Sequence, residues 1–168
     1  MEKKEEINNL ANEIWKSAIK LRGKFKAYEY QAVVLPMLMI RRIECVLIEK
    51  RKEFATEFKK KNPNLTEQEL SKKVKQKEEL ILPFFNKSDW TLRKVLDDNR
   101  TQLEKNFREY LKEFSPLIND IIDHFNYREM ISKMVKANRL DSIMDLVAEE
   151  DFSPQKLSNL DMGYIYEE

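Results

Sequence analysis

From Ala32 to Ile40 the chain reads Ala-Val-Val-Leu-Pro-Met-Leu-Met-Ile, nine apolar residues of which one is proline, closed by Arg41-Arg42. A helix that is apolar on every side must be buried on every side, so the rest of the fold has to wrap around this segment. Pro36 adds a second constraint. Inside a helix it removes one hydrogen bond and crowds the carbonyl four residues back, Ala32, at a cost of ~3 kcal/mol. Beyond it, Leu38/Met39, Arg42/Ile43, Val46/Leu47, Lys50 and Phe54 keep a helical step to about Lys60. The spacing therefore predicts one long helix, kinked at Pro36, with its first half at the centre of the molecule.

The remaining sequence supplies helices to cover it. Ile7, Leu10, Ala11, Ile14, Ala18 and Leu21 form one stripe of a helix from about Lys3 to Arg22, widened by Trp15. Gly23 suits the position just past its end, and Lys20 and Arg22 suit the negative end of its dipole. After the break at Asn62-Pro63-Asn64, Thr66 and Glu69 form a capping box and Leu65 and Leu70 a hydrophobic staple, which start a surface helix with a thin stripe at Leu70, Val74 and Leu80/Ile81. Pro83 ends it. Phe84, Phe85 and Trp90 read as core fillers near a loop. Ser88 or Asp89 is placed to cap a helix running through Leu92, Leu96, Leu103, Phe107 and Leu111 to Ser115, although a box at Thr101 and Glu104 allows two helices there. Ser115-Pro116 and Ser153-Pro154 are start signals, as is Asn126 with Glu129, and a last helix begins near Leu160.

The 168 residues contain only two glycines, Gly23 and Gly163, where a sheet-rich fold spends more on its turns. The fold class is therefore all-α: one helical domain over 1–168, of roughly six to eight helices packed around the proline-containing helix. Cys45, the lone cysteine, reads as a buried structural thiol, which fits a reducing, cytoplasmic location. No signal peptide is expected from the Glu/Lys-rich start, and the apolar run is too short for a membrane span.

Net charge is +1, but it is unevenly spread. Lys59 to Lys77 carries seven lysines against two glutamates, and Asn138 to Glu168 two basic residues against eight acidic ones. Such asymmetry suggests two differently charged faces or neighbours, with solvated helix surface as the plainer reading of the lysines. Catalytic chemistry is not encoded. One histidine and one cysteine cannot build the usual zinc site. His124, beside Phe125, reads as a partly buried packing residue, and the carboxylates sit in Lys/Glu helix faces where i,i+4 pairing explains them. Two isolated glycines make no phosphate or dinucleotide loop.

The order Trp15, Leu21-Arg22-Gly23, Glu29-Tyr30, Val33, Leu35-Pro36, Arg41-Arg42 resembles the N-terminal helical domain of the methylation (HsdM) subunit of type I restriction–modification systems. Phe114-Ser115-Pro116, Ile121, Phe125 and the closing Asp161-Met162-Gly163-Tyr164-Ile165-Tyr166-Glu167-Glu168 agree with it. The resemblance implies a parent DNA adenine methyltransferase whose catalytic domain follows residue 168. That domain would bind S-adenosylmethionine and hold a flipped adenine with an Asn-Pro-Pro-(Phe/Tyr) motif. Neither motif is present here: Asn62-Pro63 continues Asn64-Leu65. No catalytic, cofactor or metal residue is thus assigned, and the chain alone is expected to be inactive. The implied partners are a DNA-specificity subunit, a second methylation subunit and double-stranded DNA, with no membrane. Candidate contacts to DNA or partners are Arg22, Lys24, Lys26, Arg41, Arg42, Lys72 and Lys73. The structural alternative is that Arg22 complements a helix end and that Arg41 and Arg42 pair with acidic neighbours on adjacent helices. The alternative function is a helical protein-interaction scaffold without DNA contact, using aromatics such as Phe25, Tyr28 and Tyr164.

Overall fold

The computed structural model describes the backbone of residues 2–19 and 27–167 and the side chains of residues 5–16 and 31–166. At its centre lies α2, Ala27–Lys61, a single helix with Pro36 inside it. Val33, Val34, Met37 and Leu38 are fully buried and Ile40 nearly so. Around it stand α1 (Glu2–Ile19), α3 (Glu67–Ile81), α4 (Leu92–Asp97), α5 (Leu103–Lys112), α6 (Pro116–His124), α7 (Tyr127–Lys136), α8 (Leu140–Ala148) and α9 (Asn159–Glu167). No strand occurs among the described residues, only one isolated bridge between Asn86 and Phe114. The all-α reading holds, and the buried apolar residues other than Phe54 and Val74 form one cluster that contains both the α2 run and the inner faces of α4 to α9. Helix α2 packs against α3, α7 and α8, while α1 lies against α9 and α8.

Pro36 leaves the Ala32 carbonyl without its helical donor, and proline loosens the turn around it. The neighbouring carbonyl, Val33, is met from outside: the buried Tyr127 hydroxyl donates to it at 3.1 Å. Burial holds that phenol well above its ordinary pKa, so it remains a donor. Similarly, the Trp15 indole donates to the Ile165 carbonyl at 2.8 Å and ties α1 to α9.

Several local starts differ from the sequence expectation. Thr66 does cap α3, accepting from the Glu69 amide at 3.2 Å. Helix α4 is capped by Thr91 instead of Ser88 or Asp89, with Lys94 donating at 3.2 Å. Ser88 is engaged in the loop, its hydroxyl 2.6 Å from Asn86 Oδ1. The run from Leu92 to Ser115 breaks at Asp98, and a 3-10 turn at Arg100–Gln102 separates α4 from α5. Asn99 caps that turn, and Thr101 spends its hydroxyl on Asn99. Ser115 precedes Pro116 at the start of α6, but its hydroxyl accepts from the Phe85 amide at 3.3 Å. Asn126 starts α7 in the left-handed region, at φ 53, with its side-chain amide donating to Glu129. After Ser153-Pro154 the chain makes only a turn. The helix begins at Ser158, which exchanges hydrogen bonds with Asp161 at 2.9 and 3.1 Å. On α3, Leu80 and Ile81 are exposed and Glu78 takes the inward position with Val74. His124 is exposed, while Cys45 is buried, with its thiol pushed up by desolvation.

A buried carboxylate with three partners sits further along α2: Glu44, 3% exposed. One carboxylate oxygen accepts from the Leu92 amide at 2.9 Å and from the Tyr110 hydroxyl at 2.5 Å. The other accepts from Arg41 at 2.6 Å. Burial, then the Glu44 charge, lift the Tyr110 hydroxyl well above its ordinary pKa, so it too donates. One side chain on α2 thus fixes the first amide of α4 and the inner face of α5. Glu44→Ala should lower stability by roughly 3 kcal/mol or more, because it strands buried donors. Glu44→Gln, which keeps an oxygen for Leu92 and Tyr110 but turns its NH2 toward Arg41, should cost less. Urea unfolding of the two variants checks the order; equal, small losses would show that this cluster carries no stability.

Candidate functional site

Of the seven candidate contact residues, Arg22, Lys24 and Lys26 lie outside the described residues, as does Gly23. The other four divide into two groups with opposite surroundings.

Arg41 and Arg42 point inward. Arg41 Nε donates to the Glu150 carbonyl at 2.8 Å while its NH1 meets Glu44. Arg42 is 8% exposed. Its NH1 donates to the carbonyls of Phe152 and Leu157 at 2.8 and 2.9 Å, and its NH2 to Asn159 Oδ1 at 3.1 Å. A planar guanidinium presents a fixed fork of donors, which suits several fixed acceptors in one plane better than an ammonium does. Between α8 and α9 residues 149–158 form no helix; their own turn satisfies the Ser153 carbonyl, and the two arginines donate from α2 to those of Glu150, Phe152 and Leu157. They thereby set where α9 begins. Arg41 does have an acidic partner, but Glu44 lies on its own helix and not on an adjacent one, and Arg42 is held by backbone carbonyls and an amide.

Lys72 and Lys73 point outward on α3, both exposed. Lys73 Nζ lies 5.8 Å from the Phe58 ring centroid, and Lys77 Nζ lies 4.7 Å from Phe54 and 5.5 Å from Phe58. Such cation–π contacts contribute about 0.5–1 kcal/mol at exposed sites and fix the α3 lysine stems on α2. Lys77 also pairs with Glu57 at 2.7 Å and Lys75 with Asp89 at 2.5 Å. Hydrogen bonding to these lysines holds the Glu57 and Asp89 carboxyls below their usual range. Lys59, Lys60 and Lys61, exposed in the last turn of α2, join Lys72 in having no ion pair among the described residues. Their helix end is negative, so part of their charge answers the dipole.

Sequence reasoning missed the groups that hold the lysine-bearing hairpin in place. Arg51 on α2 makes a two-pronged contact with Glu78 on α3, the second prong at 3.2 Å, and donates to the Asn86 carbonyl at 3.2 Å. Glu78 in turn accepts from the Asn86 amide at 3.0 Å, and the Asn86 side chain donates to the Tyr110 carbonyl at 2.9 Å. A signal did exist for Glu44, an acid alone within Ile43-Glu44-Cys45-Val46-Leu47. For Glu78, inside Lys-Glu-Glu, the sequence held none.

No group of three His, Cys, Asp or Glu side chains is arranged to hold a metal among the described residues. No helix there is long and apolar enough to cross a membrane.

Removing the Arg42 fork should destabilise the fold by about 3 kcal/mol, since two buried carbonyls lose their donor. Lysine should restore only part, because an ammonium cannot span the same acceptors. Thermal melts of Arg42→Ala and Arg42→Lys read this directly. An Arg42→Ala variant as stable as the parent would mean the buried fork is not an anchor.

Residues 10–147 match the family model described as the HsdM N-terminal domain. The type I restriction enzyme MjaIX methylase subunit of Methanocaldococcus jannaschii is 29% identical over 141 residues, covering 73% of this chain and 25% of that relative. The chain therefore spans about a quarter of the length of the curated relative it matches. No solved structure matches. The match covers the α2 core, the arginine pair and the lysine hairpin together, and the chain belongs to the HsdM N-terminal domain family.

Proposed function

We propose that this chain serves as a DNA-clamping and subunit-docking domain of a type I restriction–modification methylation subunit. In this reading the parent protein transfers a methyl group from S-adenosylmethionine to adenine. It acts with a specificity subunit and a second methylation subunit, and the present domain supplies contacts instead of chemistry. The observation that carries the DNA part is the outward lysine face of the α2–α3 hairpin. Lys60, Lys61 and Lys72 are exposed without an ion pair among the described residues, and Lys73 is held over Phe58. Cations displayed on a braced hairpin suit phosphate contact, which positions a protein on a duplex without reading its sequence. Arg41 and Arg42 act here through the fold, by holding the 150–159 segment.

The test is fluorescence anisotropy of duplex DNA across a salt series with Lys60→Ala/Lys61→Ala and Lys72→Ala/Lys73→Ala. Each lost phosphate contact should reduce the log–log salt slope by roughly 0.9. Unchanged affinity and slope in both double variants would remove the DNA part of the proposal.

A second observation supports the docking part, and would also serve a pure interaction scaffold. On α9, Met162 and Ile165 are buried while Leu160 and Tyr164, one turn apart, are 69% and 44% exposed. Phe25 and Tyr28, the other aromatic candidates, lie among residues whose side chains are not described. Leu160→Asp with Tyr164→Asp should reduce co-purification of the parent methylation subunit with its specificity subunit. Full recovery of the complex would argue against this face.

A further inference from the structure

On one side of the α2–α3 hairpin runs a groove of about 500 Å3, separate from the lysines of the DNA proposal. Its floor is apolar: Ile48 and Ala55 from α2, Leu70 and Val74 from α3. Its rim is basic, with Lys52, Lys59, Lys75 and Lys94 outnumbering Glu67 and Asp89. Lys75 is already paired with Asp89, but Lys52 and Lys59 have no ion pair among the described residues. Thr91 and Lys94, at the start of α4, also line it. Along α2 the groove runs from Ile48 to Lys59, about 16 Å or three helical turns at 1.5 Å per residue.

The floor residues recur at helical spacing on both walls: one heptad apart on α2 and one turn apart on α3. Two parallel rows at that spacing form holes into which the side chains of a third helix fit. Ala55, a single methyl, is the smallest side chain of the floor. Phosphates would gain nothing from an apolar floor of this kind. An apolar stripe flanked by carboxylates would use both the floor and the unpaired rim charges, which is helix-in-groove recognition. We propose that the α2–α3 groove is a docking site for an acidic amphipathic helix of a partner protein. Its leucine-type side chains sit on Ala55, Leu70 and Val74, and its carboxylates meet Lys52 and Lys59.

The probe is a fluorescein-labelled, stapled helix of about four turns, with leucine at i, i+4, i+7 and i+11 and glutamate on both flanks. It is titrated with the 168-residue chain and followed by anisotropy. Saturable binding is expected, weakened about tenfold or more by Ala55→Trp, which fills the groove, and by Lys52→Glu, which reverses a rim charge. Lys60→Ala/Lys61→Ala, outside the groove, should leave it unchanged, so failure here and failure of the DNA proposal are separable. Far-UV circular dichroism checks that Ala55→Trp is folded, and Lys52→Glu stands as the independent variant if it is not. Equal binding of a scrambled peptide of the same composition would reduce the effect to bulk charge and overturn the proposal. So would indifference to both groove variants. Loss of duplex binding on Ala55→Trp would give the groove to nucleic acid. Self-association in sedimentation that Ala55→Trp abolishes would give it to a second copy.

Discussion

A helix buried on every side can hold polar groups only where another part of the chain comes to meet them. The first half of α2 comes close to this, with Val33, Val34, Met37, Leu38 and Ile40 buried and only the face of Ala32, Leu35 and Met39 partly exposed, and the polar groups along it name its packing neighbours. The Val33 carbonyl, next to the one that Pro36 orphans, is met by Tyr127 of α7. Arg42 is met by the carbonyls that lead into α9. Glu44 is met by the first amide of α4 and by Tyr110 of α5. Arg51, further along, is met by Glu78 of α3. The net gain from any one of these bonds is only about 1 kcal/mol, but leaving a buried group unmet costs about 1–3 kcal/mol. Alternative packings of the same helices are thereby penalised even where they would bury similar apolar area.

The same physics sorts the positive charges. Arginine, with its planar and weakly hydrated guanidinium, tolerates burial when several acceptors surround it. Arg41, Arg42 and Arg51 take those inner places. Lysine keeps its compact ammonium in water and lays its methylene stem along apolar surface. Lys73 and Lys77 do this on Phe54 and Phe58, and Lys72 and the last turn of α2 display their charge outright. A basic outer hairpin is therefore held by a buried acidic partner, Glu78, and not by surface pairing alone. In the proposed reading this matters for DNA: cations on a hairpin braced from inside keep their positions when surface pairs are screened by salt.

In the proposed reading the buried arginines serve docking by another route. Trp15 and the Arg42 fork together fix both the approach to α9 and its body. The exposed Leu160 and Tyr164 are consequently presented at a defined angle, because the opposite face of that short helix is locked to α1 and α2. A partner meeting such a pre-set face loses less conformational entropy than one meeting a free helix.

The sequence by itself determined what depends on neighbours within one or two turns. The helical class, most of the buried Ala32–Ile40 run, the Thr66 cap and the apolar stripe of α1 from Ile7 to Ile14 were legible, since helix periodicity and capping are local. So were the motifs that carry the family resemblance. What the tertiary structure alone decided depends on partners far away in the chain. The break at Asp98 stands between the two: the Thr101 and Glu104 pair allowed it, while the apolar spacing ran on across it. One clear case is the choice of Glu78 over Leu80 for the inward face of α3, made by an arginine 27 residues earlier. The fate of Arg41 and Arg42 is the clearest. As sequence they are a basic pair at the edge of the core, equally suited to phosphates or to acidic side chains. Their acceptors on the 150–159 segment lie 109 to 117 positions away. Hydrogen-bond demand is written in each residue, but which group answers it is settled only when the chain has folded.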